Sequence, residues 1–139
     1  MKIFTSASEL RLQARLVKQV KEQGGWALKM ANRHQGGIPD VFMKIPSCIE
    51  GVFAECKIDN LNLTPLQRDT LQKMHRAKQY AGWIVFSKIE GKWCIFIGAD
   101  PLAEKALLGV NCDFIRLENK QWPVYRIIRA IVFWTDACG

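Results

Sequence analysis

No CxxC pair occurs among the five cysteines of this 139-residue chain, and five is an odd number. A tetrahedral zinc site and a secreted disulfide framework both lose their usual sequence basis. Cys48, Cys56, Cys94, Cys112 and Cys138 read instead mostly as reduced core or strand residues. Histidine is scarce too: His34 and His75 stand far apart and outside any ligand motif, so neither suggests zinc. No apolar run approaches the ~20 residues needed to cross a bilayer. The opening MKIFTSASELRLQ turns polar and helical too early for a signal peptide's apolar segment. A soluble, cytoplasmic protein with no membrane partner is expected. No repeat, low-complexity tract or linker divides the chain, and 49% hydrophobic with 24% charged residues argues against wholesale disorder. One domain with a single core follows.

Charge is plentiful and unevenly placed. Residues 1–46 hold eight basic against three acidic residues, a local charge of +5, whereas residues 47–98 carry +2 and residues 99–139 balance at zero. A basic N-terminal half would attract a polyanion such as DNA, the alternative being a solubilising surface.

Local signals order the elements. Ser6-Ala7-Ser8-Glu9 reads as a capping box ahead of a helix whose apolar stripe runs through Leu10, Ala14, Val17 and Val20, widened by Leu12 and Leu16. Gly24-Gly25 ends it. WALKM (26–30) reads as a short strand, NRHQGG as a basic loop, and residues 40–46 and 52–58 as two strands joined around Pro46 to Gly51. Thr64 caps a second helix with Pro65 at its first position. GWIVFS (82–87) and KWCIFIG (92–98) form a hairpin about Glu90-Gly91. Asp100-Pro101 opens a short helix to about Gly109, and DFIRL is a strand. The tail VYRIIRAIVFW fits neither period, so its type stays open. The order predicts a mixed α/β sheet flanked by helices.

One hairpin carries chemistry. Glu55 and Lys57 share a strand face with Phe53; Asp40, Phe42 and Lys44 share a face of the preceding strand. A four-residue loop, Ser47 to Glu50, allows the register that brings Asp40 opposite Glu55 or Lys57, and a one-residue slip would separate them. Two adjacent carboxylates invite a divalent cation, with the backbone carbonyl of Cys56 as a further oxygen. Lys57 would orient the attacking water or stabilise phosphate charge. These are the parts of metal-assisted phosphodiester hydrolysis; the alternative is a hairpin with solvated charges.

Pro39-Asp40 followed by Glu55-Cys56-Lys57 resembles the PD-(D/E)XK nuclease superfamily. The longer pattern Gly36-Gly37-Ile38-Pro39-Asp40, Glu55-Cys56-Lys57 and Leu63-Thr64-Pro65-Leu66-Gln67 is similar to its virus-type replication-repair nuclease (VRR-NUC) family. This likeness spans about Glu9 to Ser87. It implies a restriction-endonuclease-like fold, with residues 1–139 as one nuclease domain: a catalytic core over about 6–98 and a C-terminal extension over about 99–139. It implies magnesium, with manganese as a substitute, and catalytic roles for Glu9, Asp40, Glu55, Lys57 and Gln67. Asp40, Glu55 and the Cys56 carbonyl would be metal ligands, with Glu9 a further candidate. Glu9 and Gln67 each have another explanation as the closing residue of a capping box.

Around that site Lys29, Arg33 and His34 flank the Gly36-Gly37 loop, whose small residues would let a DNA backbone approach. Arg68, Gln72 and Arg76 recur along the second helix, away from Leu66, Thr70 and Met74, as phosphate contacts or as a solvated face. Nothing resembles a recognition helix. The resemblance to stand-alone, often viral or phage, family members implies a homodimer cutting branched DNA in the manner of a Holliday junction resolvase, in repair or recombination. A non-specific nuclease and a non-catalytic nucleic-acid-binding module are the alternatives. Trp122, Tyr125, Phe133 and Trp134 would serve as core or as a dimer contact.

Overall fold

A stripe of large aliphatic residues builds the first helix against the sheet. The computed structural model describes residues 7–30, 36–103 and 111–138, and α1 spans Ala7–Glu22. Leu12, Leu16 and Val20 are buried, but Leu10 is 41% exposed and Ala14 also faces water. The stripe is therefore rotated from the expected one, towards the buried Gln13 and Gln19. Gln19 has a reason to be inside: its Nε2 donates to the Lys120 carbonyl at 2.6 Å and its Oε1 accepts from the Trp122 N–H at 2.8 Å. These bonds tie α1 to the segment ahead of the last helix. Gly24, at φ +81°, follows the helix end as expected. Ser6, the proposed cap, lies outside the described residues.

Six strands form one sheet in chain order: β1 (Trp26–Lys29), β2 (Val41–Lys44), β3 (Val52–Ile58), β4 (Tyr80–Ile89), β5 (Lys92–Gly98) and β6 (Asp113–Arg116). Every neighbouring pair is antiparallel except β3 and β4, which α2 (Pro65–Arg76) joins by a crossover. The expected mixed sheet flanked by helices is what the chain adopts. Alternation then assigns the faces. On one, α1 and α3 (Val124–Cys138) bury Met43, Ala54, Cys56, Ile84 and Phe86. On the other, α2 sets Leu71 against a cluster holding Trp83 and Val85.

The C-terminal tail is helical. Val124, Ile127, Ile128, Ile131 and Thr135 are buried at helical spacing. The period was hard to read because Ala130 and Val132 are buried as well, and β-branched residues crowd the run. Pro123, immediately before the first helical residue, is the start signal that the hydrophobic pattern obscured. The tail's aromatics divide: Trp122 is core, with its ring 5.8 Å from that of Phe86, while Tyr125 and Phe133 are exposed. Of the expected Asp100–Gly109 helix, residues 104–110 lie outside the described residues; Asp100 Oδ1 accepts from the Leu102 N–H at 2.9 Å. Cys48, Cys56 and Cys94 are buried, Cys112 is half-buried and Cys138 is exposed. No described helix is long and apolar enough to cross a membrane.

The Gly36-Gly37 loop owes its glycines to packing inside the protein. Gly37 has φ +96°, and a Cβ there would stand 2.7 Å from Leu66 Cγ and 2.8 Å from the Leu66 carbonyl of α2. Close approach to the helix requires the missing side chain at Gly37. Gly37→Ala is expected to destabilise the fold by about 1–3 kcal/mol, seen as a lower urea midpoint. An unchanged midpoint would show that the loop re-seats freely.

Candidate active site

Register decides whether the candidate residues meet. Val41 pairs with Ala54 and Phe42 with Phe53. Continued by one residue, that ladder sets Asp40 opposite Glu55, on the face shared by Phe42, Phe53 and Lys57. The same row extends to β1, where the Met30 N–H donates to the Asp40 carbonyl at 2.7 Å, and to β4, where Trp83 pairs with Glu55. This is the face that α2 partly covers. The Cys56 side chain points the other way, into the core under α1 and α3.

Each acidic group has a fixed partner. Asp40 Oδ2 accepts from the Cys56 N–H at 2.8 Å. One further step along the register would place Pro39 opposite Cys56. A strand residue sends its N–H and C=O to the same neighbour, and proline has no N–H to give. The Cys56 carbonyl therefore receives no ladder bond from β2 at that point. Glu55 is only 4% exposed. Its Oε2 accepts from Gln67 Nε2 at 3.0 Å and lies 3.8 Å from Lys57 Nζ.

Gln67 closes a capping box and touches Glu55 with the same side chain. Its Oε1 accepts from the Thr64 N–H at 2.9 Å while its own N–H donates to Thr64 Oγ1 at 3.1 Å, a complete capping box. The free end of the same amide reaches Glu55. The start of α2 is thus docked on the acidic row. Glu9, half-buried on the first turn of α1, comes close enough for its charge to be felt by Lys57 and Asp40.

The acids are crowded and short of water. Burial, then the Asp40 charge, push the Glu55 carboxyl up to about 9 against the opposing pull of Lys57. Burial also raises Asp40, resisted by the Cys56 N–H, by a hydrogen bond from Glu55, and by Lys57 and Lys29. Burial raises Glu9 as well, with Lys57 opposing and Asp40 adding to the rise. Two adjacent negative charges out of water repel, so burial and the mutual charge favour a proton shared within the pair. Among the described residues no group of three or more His, Cys, Asp or Glu side chains could hold a metal ion. What is present is a carboxylate pair beside a backbone carbonyl. That hard oxygen set fits magnesium, which keeps several of its waters and needs few protein ligands.

The basic candidates are less tightly gathered. Arg33 and His34 lie outside the described residues. Lys29 is exposed at the end of β1, within electrostatic reach of Asp40. On α2 Leu71 is buried and Met74 packs with it, so the core side follows Gln67, Leu71 and Met74, while Leu66 is 51% exposed. Arg68 is half-buried, and its Nε has no hydrogen-bond partner. Arg76 and Gln72 border a cleft of about 710 Å³ beside Lys78, Asp100 and Trp134, whose lining includes none of Asp40, Glu55 and Lys57. Two features of the acidic face were missed. Trp83 shields Glu55, a placement set by long-range parallel register. Trp26 and Leu28 continue the face onto β1, and their alternation in WALKM was the available signal.

No family model and no curated protein matches the chain. In shape it is similar to the solved structure of Hjc, a Holliday junction resolvase from the hyperthermophilic archaeon Archaeoglobus fulgidus. The TM-score is 0.49 and the identity 14%, over 85% of this chain and 89% of that one.

Proposed function

We propose that this chain is a divalent-metal-dependent DNA endonuclease, with Asp40, Glu55 and Lys57 as its catalytic residues. The observation that carries the reading is the placement of Asp40 opposite Glu55 on one sheet face, with Lys57 one alternation further along. Asp40, Glu55 and the Cys56 carbonyl would hold magnesium, or manganese in its place, with Glu9 as a further candidate. A bound cation supplies a more acidic water and a polarised phosphoryl oxygen.

The chain's own groups do the positioning. The Cys56 N–H holds the Asp40 carboxylate in one orientation, and Gln67 does the same for Glu55. Lys57 brings a positive charge to the oxygens on which negative charge grows during displacement. Before a cation can bind, the proton shared by Asp40 and Glu55 has to leave, so loading is pH-dependent. The basic N-terminal half, including Lys29, draws in a polyanion without reading its bases. That favours selection by DNA structure, with branched DNA as the substrate class. A homodimer would place two sites for two strands.

A non-catalytic binding module is disfavoured by the acids themselves, because a polyanion binder gains nothing from two buried carboxyls facing its ligand. The deciding experiment uses labelled four-way junction, flap and linear duplex, each with magnesium and with chelator. Magnesium-dependent paired cuts near the crossover are expected. Equal cutting of plain duplex would replace structure selectivity with a non-specific nuclease. Binding with no cutting of any substrate would sink the enzyme reading.

A further inference from the structure

The face that carries Asp40 and Glu55 continues past them. Two residues further along each strand, roughly 7 Å away, Phe42 and Phe53 stand opposite each other with ring centroids 4.9 Å apart. Leu28 completes the row on β1, and Trp26 meets Phe42 edge-on at 5.6 Å. Gly51 makes room for this, because a Cβ there would run into the Phe42 ring. Phe53 packs against the cluster under α2, and the row opens to solvent towards β1. There Trp26 is 59% exposed and Leu28 47%. An apolar patch left open beside a polar site is the usual mark of a contact surface.

We infer that this row is a stacking platform for unpaired nucleobases of the strand whose phosphate lies over Asp40 and Glu55, an inference that rests on the nuclease reading above. Continuity is the first argument. The aromatic row and the acidic row are adjacent pleats of the same strands, so a nucleotide next to the scissile phosphate reaches the rings without leaving the face. Charge is the second. Lys44 sits opposite Trp26 in register, with its ammonium donating to the Ile45 and Cys48 carbonyls, and Lys29 closes the same edge strand near Asp40. Flat rings interleaved with cations suit a ligand with π faces and an anionic backbone.

Substrate selection follows from the chemistry. Every base has a stacking face, so the platform is indifferent to sequence, in keeping with the lack of a recognition helix. Only unpaired or frayed nucleotides expose that face, whereas an intact duplex keeps it hidden. Branch points, flaps and single strands would gain contacts that plain duplex does not.

The test is run in chelator, so that cutting plays no part. Oligothymidylate and an abasic oligomer of equal length are titrated against the protein, following tryptophan emission and the anisotropy of a labelled oligomer. Oligothymidylate is expected to quench emission and to bind about tenfold more tightly than the abasic strand. Trp26→Ala should lose the quench and about tenfold in affinity. Trp26→Phe should lose the quench yet keep most of the affinity, because a ring remains. Trp83 and Trp122 are buried and Trp93 and Trp134 half-buried, which makes Trp26 the most exposed reporter and the change in quench between parent and variant the readout. If Trp26→Ala fails to fold, the abasic comparison and Trp26→Phe still decide.

Equal binding of abasic and thymidylate strands overturns the inference, since only phosphates would then be felt. A dimer in sedimentation that dissociates on Trp26→Ala, with oligomer affinity unchanged, also overturns it and makes the patch a subunit contact. Base-dependent quenching in a protein that never cuts DNA would leave the platform standing and fail the nuclease reading alone.

Discussion

Asp40→Asn and Asp40→Ala are expected to be equally inactive and unequally stable. The carboxylate holds one hydrogen bond in this structure and has a second job in the proposed reaction, and the two variants separate them. Oδ2 accepts the Cys56 N–H at 2.8 Å, and an asparagine oxygen preserves that bond, whereas alanine leaves the N–H without this acceptor. The difference should be about 1–3 kcal/mol in urea unfolding, the usual penalty for an orphaned buried donor. Both variants lose the negative charge that would bind the cation. Magnesium-dependent cutting of a four-way junction should fall by at least about 100-fold in each, and by a similar factor in Lys57→Ala, where a group facing the developing phosphate charge is removed. Lys57→Arg should not restore the rate, because a planar guanidinium cannot occupy the place of a compact ammonium. Single-turnover rates and unfolding midpoints on the same preparations make the comparison. An Asp40→Asn protein that cuts at the parental rate would remove this row from the mechanism.

The acidic row was legible because strand periodicity and a short loop constrain each other. Once Asp40 and Glu55 are placed on adjacent strands, few registers remain; the connection runs over 45–51 rather than the expected Ser47 to Glu50, and the register it leaves brings the two carboxyls face to face. Thr64-Pro65 announced a helix start equally plainly. What could not be read was the second use of Gln67, because its hydrogen bond to Glu55 depends on how α2 docks after the crossover. The same limit hid Trp83, whose position beside Glu55 is set by parallel pairing between distant segments. In α1 the apolar residues outnumber the positions the sheet covers, so spacing alone could not tell that Leu10 would face water and Leu12 the core. The last helix failed for the opposite reason: its buried side is wide, and apolar Tyr125 and Phe133 stand on the exposed side, which blurs the period.

Without a divalent cation, the folded protein should lose stability as pH rises from about 4.5 towards 9, and magnesium should return much of that loss. Glu55 begins from an ordinary value of 4.5 when the chain is unfolded and is held up to about 9 in the fold. Below 4.5 the carboxyl is protonated in both states and contributes no difference. Above that value the unfolded chain releases the proton while the folded one keeps it, so each further pH unit favours unfolding by about 1.4 kcal/mol at most. Past 9 both states are ionised and the penalty levels off. Asp40 and Glu9 are raised in the same direction and add to the trend. The total should be on the order of a few kcal/mol, measured as urea midpoints in chelator at several pH values. Glu55→Gln is the decisive control. Its amide imitates the protonated carboxyl, still able to donate towards Asp40 and to accept from Gln67, so its pH dependence should flatten. On the proposed reading magnesium would bind only the ionised pair and would have to displace the proton. Its stabilisation of the parent protein should therefore grow between pH 6 and pH 9 and be largely absent from Glu55→Gln. A pH slope that survives unchanged in Glu55→Gln would locate the titrating group elsewhere. A magnesium effect of equal size in both proteins would mean that the cation binds away from this carboxyl pair.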